Sequence, residues 1–254
     1  MNQFEKRVVI VTGAGQGIGQ GIALAFAAVG CGVILAGRTF GKLEVTKAMI
    51  DARGSGHAHC IACDVKSADS IAALIAEAIE HFGQIDILIN NAQEVPMGTL
   101  EQVSDEQFVA GFESGPLATL RLMKLVKPHL VEQGGGVIVN LVSSAMKRWD
   151  MTGYGAYAAV KRSIQSLTRA AAAEWGSENI RVLNIAPHAE SPGLKGWVEK
   201  NPKEAEEFFR TIPLGRIGTL EGDIGEAVVA LCSPAMRYLT GATIPLDGGQ
   251  ANFD

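Results

Sequence analysis

Charge is scarce in this chain: Asp, Glu, Lys and Arg together make up only 19% of its 254 residues. The formal net charge is -5 and no run of Lys and Arg forms a basic block. Nucleic acid and anionic membrane surfaces are therefore not expected as partners. Also missing is any apolar run long enough to span a bilayer. The opening residues 1–7 lead straight into an apolar stretch, which leaves no room for a signal peptide, so a cytoplasmic location is expected. There is no internal repeat, no low-complexity segment and no proline-rich linker. With 47% hydrophobic residues, a sizeable core and a single domain over residues 1–254 are expected rather than disorder.

Cysteine is sparse as well, at four residues: Cys31, Cys60, Cys63 and Cys232. Cys60 and Cys63 form a C-x-x-C, which invites a redox or metal reading. The pair lies, however, in a run that reads as a strand, whereas a redox pair gains its low thiol pKa at a helix N-terminus. No second ligand pair with zinc spacing follows. Buried, reduced thiols and no metal site are expected.

What is present is an alternation of short apolar runs with longer helical patterns. Strands are expected at 8–11, 33–36, 59–62, 85–89, 137–141, 180–185 and 243–246, mostly apolar on consecutive positions, as in parallel strands covered on both faces. Helical periodicity marks 18–29, 42–52, 68–82, 108–132, 154–175 and 223–232. Ser104 and Gln107 make a capping box ahead of the fourth of these. The expected architecture is a single α/β domain of the Rossmann type, a doubly wound parallel sheet of about seven strands with helices on both faces. Residues 186–218, with four prolines and a charged helical piece at 202–209, interrupt the rhythm at the carboxyl edge of the sheet. A lid over a substrate, at about 188–213, is expected there.

Two motifs carry chemistry. Residues 12–19 form a glycine-rich turn between an apolar run and a helix, a usual seat for a dinucleotide pyrophosphate. Gly13, Gly17 and Gly19 would allow a tight turn, close backbone approach to phosphate and close helix packing, with Gly15, Gln16 and Ile18 beside them. Further on, Tyr157 and Lys161 stand four residues apart, on one face of a helix. A free phenol titrates near ~10, so a nearby cation is needed for it to exchange protons around neutrality.

Six motifs in order, namely 12–19, Asp64-Val65, Asn90-Asn91-Ala92, Ser143-Ser144, Tyr157-x-x-x-Lys161 and Asp247-Gly248-Gly249, resemble those of the classical short-chain dehydrogenase/reductase family, and the likeness runs the length of the chain. The resemblance implies an enzyme that interconverts a carbonyl and a secondary alcohol by hydride transfer. Tyr157 would be its general acid or base, Lys161 would tune Tyr157 and bond the nicotinamide ribose, and a serine would hold the substrate oxygen. Counting forward from Asn140 gives Ser143 for that serine, whereas counting back from Tyr157 gives Ser144. Strand geometry is stiffer than loop length, so Ser143 is the catalytic candidate and a one-residue insertion is expected in 147–153.

The resemblance also places Asp64 and Val65 beside the adenine, Asn90 and Ala92 along the cofactor, and Pro187 after the sixth strand. At the end of the second strand Gly37 and Arg38 stand where NAD-dependent relatives carry an acid. NADP(H) is therefore the expected cofactor, with NAD(H) the other one the turn admits. Three positions depart from the family: Gln93 replaces a glycine, Gly115 stands where an asparagine joins the proton relay, and His188 follows Pro187. A substrate pocket is expected from Gln93, Ser144, Trp149, Tyr154, His188 and Trp197, with Met97, Met146, Met151 and Leu194 making it largely apolar. This suits a hydrophobic or ring-shaped small-molecule ketone or alcohol. A homo-oligomer, tetramer or dimer, is implied through the helices at 108–132 and 154–175. Two rival readings stay open: a cofactor-binding protein of weak or no catalysis, and a lyase like the halohydrin dehalogenases.

Overall fold

The computed structural model describes residues 3–147, 150–251 and 253. Seven strands, β1 (Val8–Thr12), β2 (Gly32–Gly37), β3 (His57–Ala62), β4 (Ile87–Asn90), β5 (Gly136–Leu141), β6 (Ile180–Pro187) and β7 (Thr243–Leu246), pair in parallel in the order β3-β2-β1-β4-β5-β6-β7. The sheet winds outward from β1 in both directions, so the carboxyl ends of β1 and β4 part to leave a crevice at the switch point. Every residue of β1 is buried. Val9 and Val11 face one core with Phe26, Leu35 and Val228, while Val8 and Ile10 face the other with Leu74, Leu122 and Val126. Burial on both faces explains why the strands read as continuous apolar runs.

Nine α-helices are described: α1 (Gly17–Ala28), α2 (Phe40–Arg53), α3 (Ala68–Phe82), α4 (Asp105–Phe112), α5 (Ala118–Glu132), α6 (Gly155–Trp175), α7 (Pro192–Lys200), α8 (Pro202–Arg210) and α9 (Glu226–Cys232). The ends follow local chemistry. Ser67 caps α3 by accepting from the Ser70 amide, and Gly83 ends it in the left-handed region. Ser104 and Gln107 form the full reciprocal capping box at α4.

Two expected helices are broken. The periodic stretch 108–132 is not one helix, because a π-helical turn at Glu113–Leu117 separates α4 from α5. Pro116 sits inside that turn; its ring removes a donor and collides with the preceding turn, and a widened turn accommodates it. Ser114 secures the widening, donating to the Ala110 carbonyl at 2.7 Å and accepting from the Glu94 amide at 2.9 Å. Likewise 223–232 begins within a π-helical turn, Leu220–Gly225, capped by Thr219. The insertion holds two helices rather than one, since α7 opens on the Ser191 cap and Pro192.

A buried polar chain stitches the centre of the sheet to α6. Asn90 donates to Asn140 at 2.8 Å, Asn140 donates to Thr168 at 2.8 Å, and Thr168 donates to Asn184 at 2.6 Å. All four cysteines are free and buried. Burial pushes Cys31 and Cys232 up to about 12 and raises Cys60 and Cys63 as well.

Candidate active site

The crevice above β1 is a cleft of about 310 Å³, walled by the turn after β1, the ends of β2 and β3, and the segment after β4. The turn is built to approach a ligand closely. Gly13 and Gly17 adopt φ of +67° and +59°, conformations that suit glycine. A Cβ at Gly19 would stand 2.4 Å from the Gly13 carbonyl oxygen, and one at Gly13 would meet Asn91 at 2.7 Å. Asn91 pins the turn by donating to the Thr12 and Gly13 carbonyls at 2.8 and 3.3 Å. Thr12 Oγ1 accepts from the Asn91 and Ala92 amides at 3.0 and 3.1 Å. Gln16 leads α1 with no side-chain cap and no acid follows in the first turn, so the first amides and the positive helix end stay available to an anion. These features fit a dinucleotide pyrophosphate.

Of the expected cofactor residues, Gly13, Gly15, Gln16, Arg38, Asp64, Val65 and Ala92 line the cleft, while Gly17, Ile18 and Gly19 start α1 beside it. Asn90 does not line it: its side chain is buried and bonded to Asn140. Its neighbour Asn91 lines the wall instead, with Thr39, Lys42, Glu94 and Ser114. Asn91 belongs to the Asn90-Asn91-Ala92 motif and Glu94 was expected on the substrate side, whereas Thr39, Lys42 and Ser114 were not singled out from the sequence. Lys42 lies on the exposed start of α2 and reaches Gln16 at 2.6 Å. Arg38 is not a solitary cation, for its guanidinium donates to Glu94 at 2.7 Å, and Lys66 reaches the same carboxylate at 3.1 Å. Glu94 is 56 residues from Arg38, too far for local sequence to reveal the pairing.

At the same carboxyl edge stand Ser143, after β5, and Tyr157, in the first turn of α6. Tyr157 hydrogen-bonds Ser143; burial raises the phenol above its ordinary value and the Ser143 bond draws it back down. Ser143 Oγ also accepts from the Ala145 amide at 3.1 Å, while Ser144 begins a short 3₁₀ turn, Ser144–Lys147. Lys161, one turn beyond Tyr157, is only 4% exposed. Its ammonium donates to the Leu141 carbonyl at 2.6 Å and lies 5.7 Å from the centre of the Tyr157 ring. Burial lowers its pKa to about 7. A phenol, a hydroxyl bonded to it and a buried amine beside it can pass a proton and steady a developing oxyanion.

The segment after β6 packs through aromatic edges. Phe208 of α8 meets His188 edge-on at 5.2 Å and Trp197 of α7 at 5.8 Å. Pro187 closes β6, and the His188 amide donates to the Leu246 carbonyl at 2.9 Å. Pro192 touches the cofactor turn, since a Cβ at Gly17 would lie 3.3 Å from its ring. Tyr154 occupies the position just before α6 and Gln93 lines the cleft; Trp149 lies outside the described residues. Phe208, within the expected 188–213 segment but not singled out there, joins His188 and Trp197 because α8 packs against α7.

Over residues 13–251 the chain matches the family described as enoyl-(acyl carrier protein) reductase. It is 37% identical over 256 residues to the 12alpha-hydroxysteroid dehydrogenase of Clostridium sp., covering 98% of each chain. To the 7alpha-hydroxysteroid dehydrogenase of Escherichia coli it is 32% identical over 257 residues, covering 97% of this chain and 95% of the relative. A solved 7 alpha-hydroxysteroid dehydrogenase complexed with NADH and 7-oxo glycochenodeoxycholic acid superposes with a TM-score of 0.91 at 31% identity, covering 97% and 95%. The chain belongs to the short-chain dehydrogenase/reductase family. It is an NAD(P)-dependent oxidoreductase acting on hydroxyl and keto groups. Among the described residues no helix is long and apolar enough to cross a membrane.

Proposed function

We propose that this enzyme interconverts a ketone on a hydrophobic, ring-shaped small molecule and the matching secondary alcohol, with NADP(H) preferred over NAD(H). The observation that carries the reading is the Ser143–Tyr157–Lys161 group on the same sheet edge as the glycine-walled cleft. Bound, the cofactor supplies or accepts the hydride. Tyr157 gives its proton to the carbonyl oxygen in reduction and takes it back in oxidation. Ser143 bonds the same oxygen as charge gathers there, and the Lys161 cation favours the phenolate that results. The turn 12–19 and the start of α1 hold the pyrophosphate, Asp64 and Val65 flank the adenine, and Pro187 closes the nicotinamide end.

Gly37 leaves room at the end of β2 and Arg38 offers a guanidinium to a 2′-phosphate, which supports NADP(H). The ion pair with Glu94 favours the second reading, NAD(H), because it already balances the Arg38 charge. The aromatic lid and the exposed Met97, Leu100 and Met151 support an apolar substrate, as do relatives named for hydroxysteroids. Phe108, Val109 and Phe112 on α4, with Leu125 and Val131 on α5, are exposed and support a homo-oligomer built on that face. Four free thiols suit a reducing, cytoplasmic setting. A titration followed by nicotinamide fluorescence tests the cofactor: NADPH binding clearly tighter than NADH supports the proposal, and the reverse order overturns it in favour of NAD(H). A panel of cyclic ketones, oxo-steroids included, tests the substrate class.

A further inference from the structure

A second cavity, of about 220 Å³, lies at the amino ends of β1, β4, β5 and β6, four neighbours in the sheet. Arg7 precedes β1, Asp86 precedes β4, Gly136 opens β5 and Arg181 is the second residue of β6. Ser233 and Arg237, from the stretch after α9, complete the wall. In a parallel sheet all amino ends share one edge, so this hollow lies opposite the crevice above β1. The two share no lining residue.

Positive charge gathers here in a chain whose formal net charge is -5. Three arginines line the hollow against one carboxylate, Asp86. Among the described residues none of the three makes an ion pair. Asp86 turns Oδ2 to the Val8 amide and to Gln84 instead, both at 2.8 Å. Arg181 is only 9% exposed. Its guanidinium donates to neutral carbonyls, those of Leu231, Ser233 and Leu239, at 3.0, 3.4 and 3.3 Å. A guanidinium has five N–H donors, so these bonds leave donors over and the charge unmatched. Burial lowers the Arg181 pKa and the Arg7 charge lowers it further, whereas a buried cation is normally paired. Arg7 makes no side-chain hydrogen bond among the described residues and lies 5.9 Å from the centre of the Phe4 ring. Arg237 donates to the Pro234 carbonyl at 3.1 Å and keeps its other donors. Ser233 makes no side-chain cap bond to the short turn it precedes, so its hydroxyl is available as well.

We propose that this hollow is a second binding site, which takes the phosphate group of a small phosphomonoester on Arg7, Arg181, Arg237 and Ser233. Three guanidinium charges against one carboxylate leave a surplus of two. A phosphomonoester carries close to two negative charges near neutrality and offers three acceptor oxygens. Guanidinium forks match such oxygens in pairs. The volume lies below the ~300–1,000 Å³ usual for drug-sized ligands, which favours a small molecule over a nucleotide. Gly134, Gly135 and Gly136 leave one wall without side chains, and a Cβ on Gly134 would meet nothing within 4 Å. Bound there, the phosphate bridges β1 and β6, which β4 and β5 hold apart, and so stabilises the folded chain by mass action.

Isothermal titration with glycerol 3-phosphate and, separately, with inorganic phosphate tests the site, at an ionic strength fixed with chloride. Wild type should bind glycerol 3-phosphate, and Arg7→Ala combined with Arg237→Ala should weaken it about tenfold or more. Arg181 is left in place, because its three carbonyl bonds hold the chain together after α9. Asp86→Asn keeps an oxygen for the Val8 amide but removes the opposing charge. It should tighten glycerol 3-phosphate by about two- to fivefold. Melting temperatures near the wild-type value in probe-free buffer show that the variants are folded.

Gly19→Ala, at the other edge of the sheet, should leave this binding unchanged. Binding lost in Gly19→Ala but kept in the arginine double variant would put the phosphate at the glycine turn and overturn the proposal. Failure of wild type to bind either probe at millimolar concentration overturns it too, as does an Asp86→Asn variant that binds more weakly while still folded. Tighter binding of glycerol 3-phosphate than of inorganic phosphate supports the phosphomonoester; the reverse order overturns that choice in favour of free phosphate.

Discussion

Lys161 meets Tyr157 from one helical turn away, its ammonium 5.7 Å from the centre of the phenol ring and tied at 2.6 Å to the Leu141 carbonyl. The arrangement joins two opposing demands. Burial favours the neutral amine, yet the proposed chemistry uses its charge. The Leu141 carbonyl answers part of that conflict by accepting a hydrogen bond from the ammonium at the end of β5, where the strand hands the chain to Ser143.

This conflict makes stability depend on pH. Lys161 titrates at about 7 in the folded chain against 10.5 for its ordinary value. Between those values the unfolded chain holds a proton that the folded chain has lost, so the Lys161 contribution grows more favourable to folding as pH rises through the window. The full effect is about 1.4 kcal/mol per pH unit. Urea unfolding midpoints measured at neutral and mildly alkaline pH should show a rise in wild type that Lys161→Met flattens. Equal slopes in the two proteins would show that the buried amine stays protonated.

Cofactor choice can be dissected at Arg38. Arg38→Ala should weaken NADPH about tenfold or more, as expected for loss of a charge-assisted hydrogen bond of roughly 1.5–3 kcal/mol, and leave NADH within about twofold. Glu94→Gln should tighten NADPH by a few-fold, because the guanidinium no longer has a competing carboxylate; exposed ion pairs contribute only ~0.2–1 kcal/mol. Isothermal titration of both variants with both cofactors reads this directly. An equal loss for NADPH and NADH in Arg38→Ala would count against the 2′-phosphate role.

The glycine turn should respond differently. Gly19→Ala places a Cβ 2.4 Å from the Gly13 carbonyl oxygen, and backbone cannot yield as a side-chain tip can. Both cofactors should weaken together, with stability lower by about 1–3 kcal/mol. Calorimetry with and without cofactor separates the two effects, and normal affinity for either cofactor would contradict the close-approach argument.

The fold was legible because parallel strands announce themselves as apolar runs; all seven strands lie where the runs do, give or take two residues at the ends. The break at Glu113–Leu117 was harder to read, since the apolar periodicity continues through it and only Pro116 hints at the widened turn. Start α7 was similarly hidden inside a segment rich in proline and glycine, with Ser191 and Pro192 as its one local signal. Of the two serines that the counts gave, Ser143 is the one that bonds Tyr157, which supports the count forward from Asn140. Contacts across the sheet lay beyond any local pattern: Glu94 on Arg38 and Gln93 against Gly115 join residues far apart in sequence. Asn90, marked for the cleft, turned out to serve the buried chain with Asn140, while Asn91 took the wall.

The C-x-x-C pair offers a chemical check. Burial raises Cys60 and Cys63 and pushes Cys31 and Cys232 up to about 12, which leaves little thiolate near neutrality. Alkylation by iodoacetamide should be slow in the folded protein and complete after denaturation. Rapid, selective modification of Cys60 or Cys63 in the native state, followed by mass spectrometry, would restore a redox role.

The account stands most directly on the proton carried by Tyr157. Consumption of NADPH with a cyclic, apolar ketone should be measured in wild type and in Tyr157→Phe, after confirming equal cofactor binding. The expected result is turnover in wild type and a fall of at least about 10²-fold in the variant, the usual loss when a proton-transfer group is removed. Turnover at the wild-type rate without the phenol would contradict the mechanism.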